Sequence, residues 1–274
     1  MTTLEGKTAL VTGSGRGIGR QVALKLAAAG AAVVVNDLDA EPAEQTVADI
    51  VAAGGQAVAV PGSVADPGFA DTFVGAAVDT FGGIDIIVNN AGFTWDNVIQ
   101  KMSDEQWDAI LAVHLTAPFR ILRAAQPVIK AAVAADRAAG RTVCRKVVNV
   151  SSLSGIYGTV GQANYSAAKA GLEGLTRTLA KEWGRLNTTV NAVAFGLIGT
   201  RLTTAADEGA TIDVRGQEIK VGINPQLLER LEELIPLRRA GTPEDAAGAV
   251  YLLCIPESDY ISGQTLQCAG GFTG

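Results

Sequence analysis

One histidine and three cysteines are all the imidazole and thiol groups that 274 residues provide. Cys144, Cys254 and Cys268 lie far apart, with neither CxxC nor metal-ligand spacing, and read as reduced thiols rather than a metal site or a disulfide framework. The lone His114 removes most zinc schemes and most serine-hydrolase schemes. Positive charge is also scarce. The chain carries 22 Lys and Arg against 28 Asp and Glu, for a net charge of −6 and a pI of about 4.9. That balance argues against nucleic acid or an anionic membrane as the default partner. The most apolar run, Leu26 to Val35, is too short and too glycine-interrupted to span a bilayer. The first residues, MTTLEGKTALVTG, show no basic region followed by an apolar one, so no secretory signal is expected and the cytoplasm is the expected location.

Apolar residues, at 48%, suffice for a large core, and their order along the chain is informative. Thr8 to Val11 reads as a strand, followed by a glycine-rich turn, a helix from Ile18 to Ala29 ended by Gly30, and a second strand from Ala32 to Asn36. Gly13, Gly17 and Gly19 fit GxxxGxG, with Gly15 between them. Small residues there let the chain turn sharply and let a pyrophosphate approach the helix N-terminus, where free N–H groups and the helix dipole favour anions. Asp37 follows the second strand at about the distance at which an acid meets the adenosine ribose hydroxyls, and its carboxylate would repel a 2′-phosphate. It could instead cap the next helix. Arg16, a cation in the glycine turn, points the other way, toward a phosphate; on balance NAD(H) is favoured over NADP(H).

The strand–helix alternation continues. A helix over Pro42–Ala53, a strand over Gln56–Pro61, a helix from about Pro67 to Phe81 and an apolar strand over Ile84–Asn89 suit a parallel sheet covered on both faces. Asn90, Ala91 and Gly92 lie just past a strand end, where ligands bind in open α/β sheets. A long helix is expected from Ser103 to about Ala139, bent or interrupted by Pro118 and Pro127. Thr188 to Ala194 and about Gln264 to Gln267 are further strands. Between Gly196 and Pro236 the alternation fails. A small hairpin turning at Arg215 and Gly216 and a helix NPQLLERLEEL read as a substrate lid over about 197–236, inserted in a single domain spanning 1–274.

Between Val147 and Gly171 the sequence VVNVSSLSGIYGTVGQANYSAAKAG places Tyr165 and Lys169 four residues apart and Ser152 upstream. A separation of four turns a helix through about 400°, so the phenol and the ammonium leave the same face. A lysine beside a tyrosine favours the tyrosinate, and a serine hydroxyl at the same place could hold a carbonyl oxygen while the tyrosine moves a proton.

With the glycine turn, NNAG, Ser152, Tyr165 and Lys169 in this order, the chain resembles the short-chain dehydrogenase/reductase family from Lys7 to about Gly271. The resemblance implies a doubly wound, seven-stranded parallel sheet of the Rossmann type with helices on both faces, and a homotetramer. It also implies that Tyr165 is the acid/base, that Ser152 holds the substrate oxygen, and that Lys169 binds the nicotinamide ribose and lowers the tyrosine pKa. Gly13, Gly15, Arg16, Gly17, Ile18, Gly19, Asp37, Ser63, Val64, Asn90, Ala91, Gly92, Gly196, Ile198 and Thr200 would line the cofactor with Tyr165 and Lys169. Three positions depart from the family pattern. His114 stands where an asparagine usually completes a proton relay, and it is either structural or catalytic. Ser63 replaces an aspartate that contacts adenine, and Phe195 replaces a proline.

VVVNDL, VHL and SGIYGxxGQANYSAAK are similar to the (3R)-hydroxyacyl-CoA dehydrogenase part of multifunctional β-oxidation enzymes. PLRRAGTPEDAAGAVYLLC and SGQTLQCAGG are more similar to 3-oxoacyl-[acyl-carrier-protein] reductases. The shared implication is hydride transfer at C3 of a 3-oxo or 3-hydroxyacyl thioester, carried on coenzyme A or on acyl carrier protein. Oxidation of another secondary alcohol (a sugar, polyol or steroid) is the alternative, and a low-activity dinucleotide-binding regulator is a more distant one.

Overall fold

The structure is a computed structural model and describes residues 3–200 and 225–273, together with the short strands at 211–214 and 217–220. The first half alternates strictly: β1 (Thr8–Val11), α1 (Gly17–Ala28), β2 (Ala32–Val35), α2 (Ala40–Ala52), β3 (Gln56–Ala59), α3 (Phe69–Phe81) and β4 (Ile86–Asn89). The second half runs α4 (Asp104–Leu111), α5 (Ala117–Ala138), β5 (Arg145–Ser152), α6 (Leu153–Tyr157), α7 (Ala163–Trp183) and β6 (Thr188–Phe195). Next come the hairpin β7 (Thr211–Val214) and β8 (Gln217–Lys220), then α8 (Pro225–Leu234), α9 (Pro243–Leu252) and β9 (Thr265–Cys268). Seven strands form one parallel sheet in the order β3-β2-β1-β4-β5-β6-β9, as the family resemblance implied, while β7 and β8 pair antiparallel apart from it.

Alternation along the strands divides the core into two layers, because successive side chains of a strand point to opposite faces. Ala9, Val11, Val33, Val35, Ile86 and Val88 meet α1, α2 and α9 on one face. Leu10, Val34, Ile87 and Val147 meet α3 and α5 on the other. Each fully buried Val, Leu or Ile contributes roughly 1.5–3 kcal/mol. Strand order reverses at β1, which has β2 on one side and β4 on the other. The crevice beyond the C-terminal ends of those two strands is where ligands bind in open α/β sheets.

The long helix departs from expectation. The chain does change its winding ahead of Pro118: residues Ala112–Thr116 form a wider π-helical turn between α4 and α5. Pro118 has no N–H to offer the carbonyl one turn back, which accounts for the loosened winding there. Pro127, by contrast, lies inside α5 without ending it. A helix-interior proline costs about 3 kcal/mol. Ile121, Leu122, Ala125, Ile129 and Val133, all buried on the inner face, together outweigh that loss. Asp39, not Asp37, occupies the N-cap position of α2, so Asp37 is left for another role.

Candidate active site

The glycine turn is built around contacts that a Cβ would destroy. Gly13 and Gly17 have φ of +60° and +53°, in the left-handed region that favours glycine. A Cβ on Gly19 would lie 2.1 Å from the Gly13 carbonyl oxygen and 2.4 Å from Asn90 Nδ2, and one on Gly13 would lie 2.8 Å from Ala91 Cα. The Asn90 amide donates to the carbonyls of Thr12 (2.9 Å) and Gly13 (3.0 Å), while Thr12 Oγ1 accepts from the Asn90 and Ala91 N–H groups. The ends of β1 and β4 are thereby joined into one cradle. Helix α1 starts at that cradle with no side-chain cap and no acid in its first turn, unlike α4 and α9, whose N-termini are closed by capping boxes. Its leading N–H groups and dipole suit an anion such as the pyrophosphate of a dinucleotide. Asp37 Oδ2 accepts from Gly15 N–H at 3.0 Å, which fixes the carboxylate at the end of β2 beside the turn. Arg16 bends back to Asp39 at 2.7 Å and stands 4.0 Å from Asp37. Ser63 Oγ accepts from Ala65 N–H in the loop after β3, next to buried Val64. Gly196 follows β6 and lies against Ala269, and Ile198 bridges to Gly241 close to Thr200.

Ser152 ends β5 and serves as the N-cap of α6, its Oγ accepting from Ser154 N–H at 3.2 Å. Tyr165 and Lys169 project from α7 toward it. A buried polar network sets the height and rotation of that helix: Asn149 on β5 donates to Thr176 Oγ1 at 2.9 Å and accepts from Asn89 at 2.8 Å, and Ser151 donates to Glu173 at 2.8 Å. At the start of α7, Asn164 donates to the carbonyls of Trp95 and Gln106, tying the helix to the loop after β4 and to α4.

Burial controls the titration of the pair. The Tyr165 hydroxyl is pushed up to about 12 by desolvation; its hydrogen bond with Ser152 opposes the rise and the Asp96 charge adds to it. Desolvation brings Lys169 down to about 7. The Lys169 Nζ donates to the Val150 carbonyl at 2.6 Å and lies 5.5 Å from the centre of the tyrosine ring. Desolvation is the largest influence on both groups in this arrangement.

His114 joins the group from the π-helical turn. It is buried, its ring meets the Tyr165 ring edge-on with centroids 5.0 Å apart, and its Nε2 lies 2.7 Å from the Phe93 carbonyl oxygen. Burial, followed by the Lys169 charge, holds it well below the usual imidazole range.

Asp96 and Gln162 were given no role in the sequence reading. Asp96 accepts from Gln162 Nε2 at 2.8 Å, and Gln162 Oε1 accepts from Ser154 Oγ at 3.1 Å, a polar chain that ends beside Ser152. Asn97 and Gln162 also form a short parallel bridge, which staples the loop after β4 to the start of α7. The signal was present in GQANY, where Gln162 and Asn164 precede Tyr165 at close range.

A family model described as Enoyl-(Acyl carrier protein) reductase matches residues 13–273. The chain belongs to the short-chain dehydrogenase/reductase family. As a member of that family it is an oxidoreductase using a nicotinamide cofactor, and the cradle of Gly13–Gly19, Asn90 and uncapped α1 fits such a group. The 3-oxoacyl-[acyl-carrier-protein] reductase of Synechocystis sp. is 39% identical over 273 residues, covering 99% of this chain and 98% of that protein. The FabG 3-oxoacyl-[acyl-carrier-protein] reductase of Vibrio cholerae is 37% identical, covering 98% of each. Among solved structures, a Sinorhizobium meliloti 1021 protein assigned as a short-chain alcohol dehydrogenase superposes with a TM-score of 0.85 at 34% identity, covering 99% of this chain and 98% of that one. A double mutant of a short-chain dehydrogenase/reductase from Serratia marcescens gives 0.84 at 28% identity, with coverage of 99% and 100%. Among the described residues, no helix of this short-chain dehydrogenase/reductase is long and apolar enough to cross a membrane.

Proposed function

We propose that the protein interconverts a 3-oxoacyl and a 3-hydroxyacyl thioester, carried on acyl carrier protein or coenzyme A, with Tyr165 as the acid/base. The observation that carries this reading is the Tyr165 phenol, pushed up to about 12 by desolvation and hydrogen-bonded to Ser152 at the end of β5, beside a dinucleotide cradle. At neutral pH a phenol held at about 12 is an acid, so Tyr165 is ready to give its proton to the substrate oxygen while Ser152 holds that oxygen. When bound, the nicotinamide supplies or accepts the hydride at C3. The names of the relatives support a 3-oxoacyl substrate. The exposed apolar side chains Val98, Ile99, Tyr157 and Val160, which flank the Asn97–Gln162 staple, support an acyl or pantetheine chain at the mouth.

NAD(H) is the inferred cofactor. Asp37 is anchored by Gly15 N–H, and Arg16 is already engaged by Asp39, which leaves the pocket beside the ribose acidic. The segment 197–236 is inferred to be the substrate lid of a single domain; 201–210, 215–216 and 221–224 of it lie outside the described residues. A homotetramer is supported by Trp107 on α4, Phe119 on α5 and Leu266 on the edge strand β9, all partly open to solvent. The three unpaired cysteines suit the reducing cytoplasm.

The test follows NADH and NADPH consumption with acetoacetyl-CoA, alongside a 2-enoyl thioester, a sugar ketone and a steroid ketone. Acetoacetyl-CoA with NADH should give the highest kcat/KM. Tyr165→Phe should still bind cofactor yet lose at least about 100-fold in kcat. Turnover of that variant at the parental rate, or a clear preference for the enoyl thioester, would sink the assignment.

A further inference from the structure

His114 is the only imidazole in the chain, and its surroundings favour one form of the ring. Nε2 lies 2.7 Å from the Phe93 carbonyl oxygen and also accepts from the Phe93 N–H at 3.2 Å. The two contacts call for opposite tautomers, and the shorter one, to an acceptor, favours the proton on Nε2. Nδ1 then carries the lone pair, is buried, and has no hydrogen-bond partner among the described residues. The ring is wedged on two further sides. Its edge-on contact with Tyr165 has an interplanar angle of 81°. On the cradle side, a Cβ at Gly92 would lie 2.2 Å from Cε1, so the ring fills the space that the glycine leaves open. The charged group facing it from α7 is Lys169, which opposes its protonation, while the contact from the loop after β4 is the Phe93 backbone.

We propose that His114 is a positioning residue. As a neutral ring with its proton on Nε2, it braces the Gly92–Phe93 backbone against Tyr165 and holds the cofactor cradle and the tyrosine in register, without itself carrying a proton. The inference rests on Tyr165 being the acid/base, and its tests are chosen to fail separately from that reading.

A single histidine makes the first test direct. Nitrogen-15 spectra of tag-free, histidine-labelled protein report tautomer and charge with no substrate present. The expected result is an Nε2–H ring that does not titrate between about pH 5 and pH 8. An Nδ1–H ring, or an imidazolium forming in that range, overturns the brace. The second test uses the geometry of the donor. His114→Gln places an amide N–H near the position of Nε2 and should keep kcat within about 3-fold, whereas His114→Ala should lose about 10- to 100-fold through misplacement of reacting groups. Equal loss in both variants, or disappearance in His114→Gln of a kcat limb that the parent shows near pH 6 to 7, would mean that the imidazole moves protons. The third test reads thermal stability and cofactor affinity. Gly92→Ala should weaken both, and His114→Ala added to it should restore part of each; independent, additive losses would contradict the wedge. If Tyr165→Phe proves harmless, the proposed function fails while the nitrogen-15 and Gly92 results still decide the role of His114.

Discussion

Replacing Lys169 with methionine tests the claim that desolvation, not pairing, governs the centre of this site. The folded pKa of about 7 lies below the ordinary 10.5, so between these values the unfolded chain binds a proton that the folded chain does not. The sign follows directly. Lys169 destabilises the fold by its full amount below about pH 7, and the penalty fades as pH rises to 10.5, so this group makes stability increase with pH across that window. At about 1.4 kcal/mol per pH unit, the gap between 10.5 and about 7 is worth roughly 5 kcal/mol at low pH. By pH 9 about 2 kcal/mol remains. Methionine keeps the unbranched stem but leaves the Val150 carbonyl without its donor, at a cost of about 1–3 kcal/mol. The variant should therefore be about 2–4 kcal/mol more stable than the parent at pH 6 and nearly equal to it at pH 9, while losing most turnover. Urea denaturation at the two pH values measures the difference. A variant less stable than the parent at pH 6, with a gap unchanged at pH 9, would show that Lys169 is charged and well solvated in the fold, and the reasoning about Tyr165 would fall with it.

Gly19→Ala should abolish cofactor binding and destabilise the fold by about 2 kcal/mol or more, because the new methyl would overlap the Gly13 carbonyl and Asn90; a fluorescence titration with NADH checks it. Asp136→Ala should cost about 3–5 kcal/mol in urea denaturation, since Asp136 accepts from Arg145 at 2.8 Å and its loss strands a guanidinium only 5% exposed. Asp96→Asn removes a negative charge that keeps the proton on Tyr165, so the alkaline limb of the kcat profile should move to lower pH by less than about 1 unit. An unmoved limb would place Asp96 outside the electrostatics of the tyrosine. Although the residue reaches solvent, burial around its carboxyl raises its own pKa against the Gln162 hydrogen bond.

Much of the fold was legible because its causes are local. Val33 and Val35 face one layer and Val34 the other through strand alternation alone, and the glycines between β1 and α1 mark a turn that a Cβ would block. The pairing of β7 with β8 was readable in the same way, from two alternating runs. Proline was less decisive than the local rule suggests. Pro127 sits inside α5 because the buried face of that helix outweighs one missing hydrogen bond.

The sequence by itself determined which groups could meet: Tyr165 and Lys169 leave one face of a helix because they are four residues apart, and Ser152 ends the strand before it. Only the tertiary structure decided what state they are in. Desolvation depends on every element that closes over a group, so the rise of Tyr165 to about 12 and the fall of Lys169 to about 7 could not be read from their spacing. The same holds for His114. Its residue type left a structural and a catalytic role open, and its place between Phe93, Gly92 and Tyr165, three points brought together only by folding, supplies the geometry on which the brace is argued.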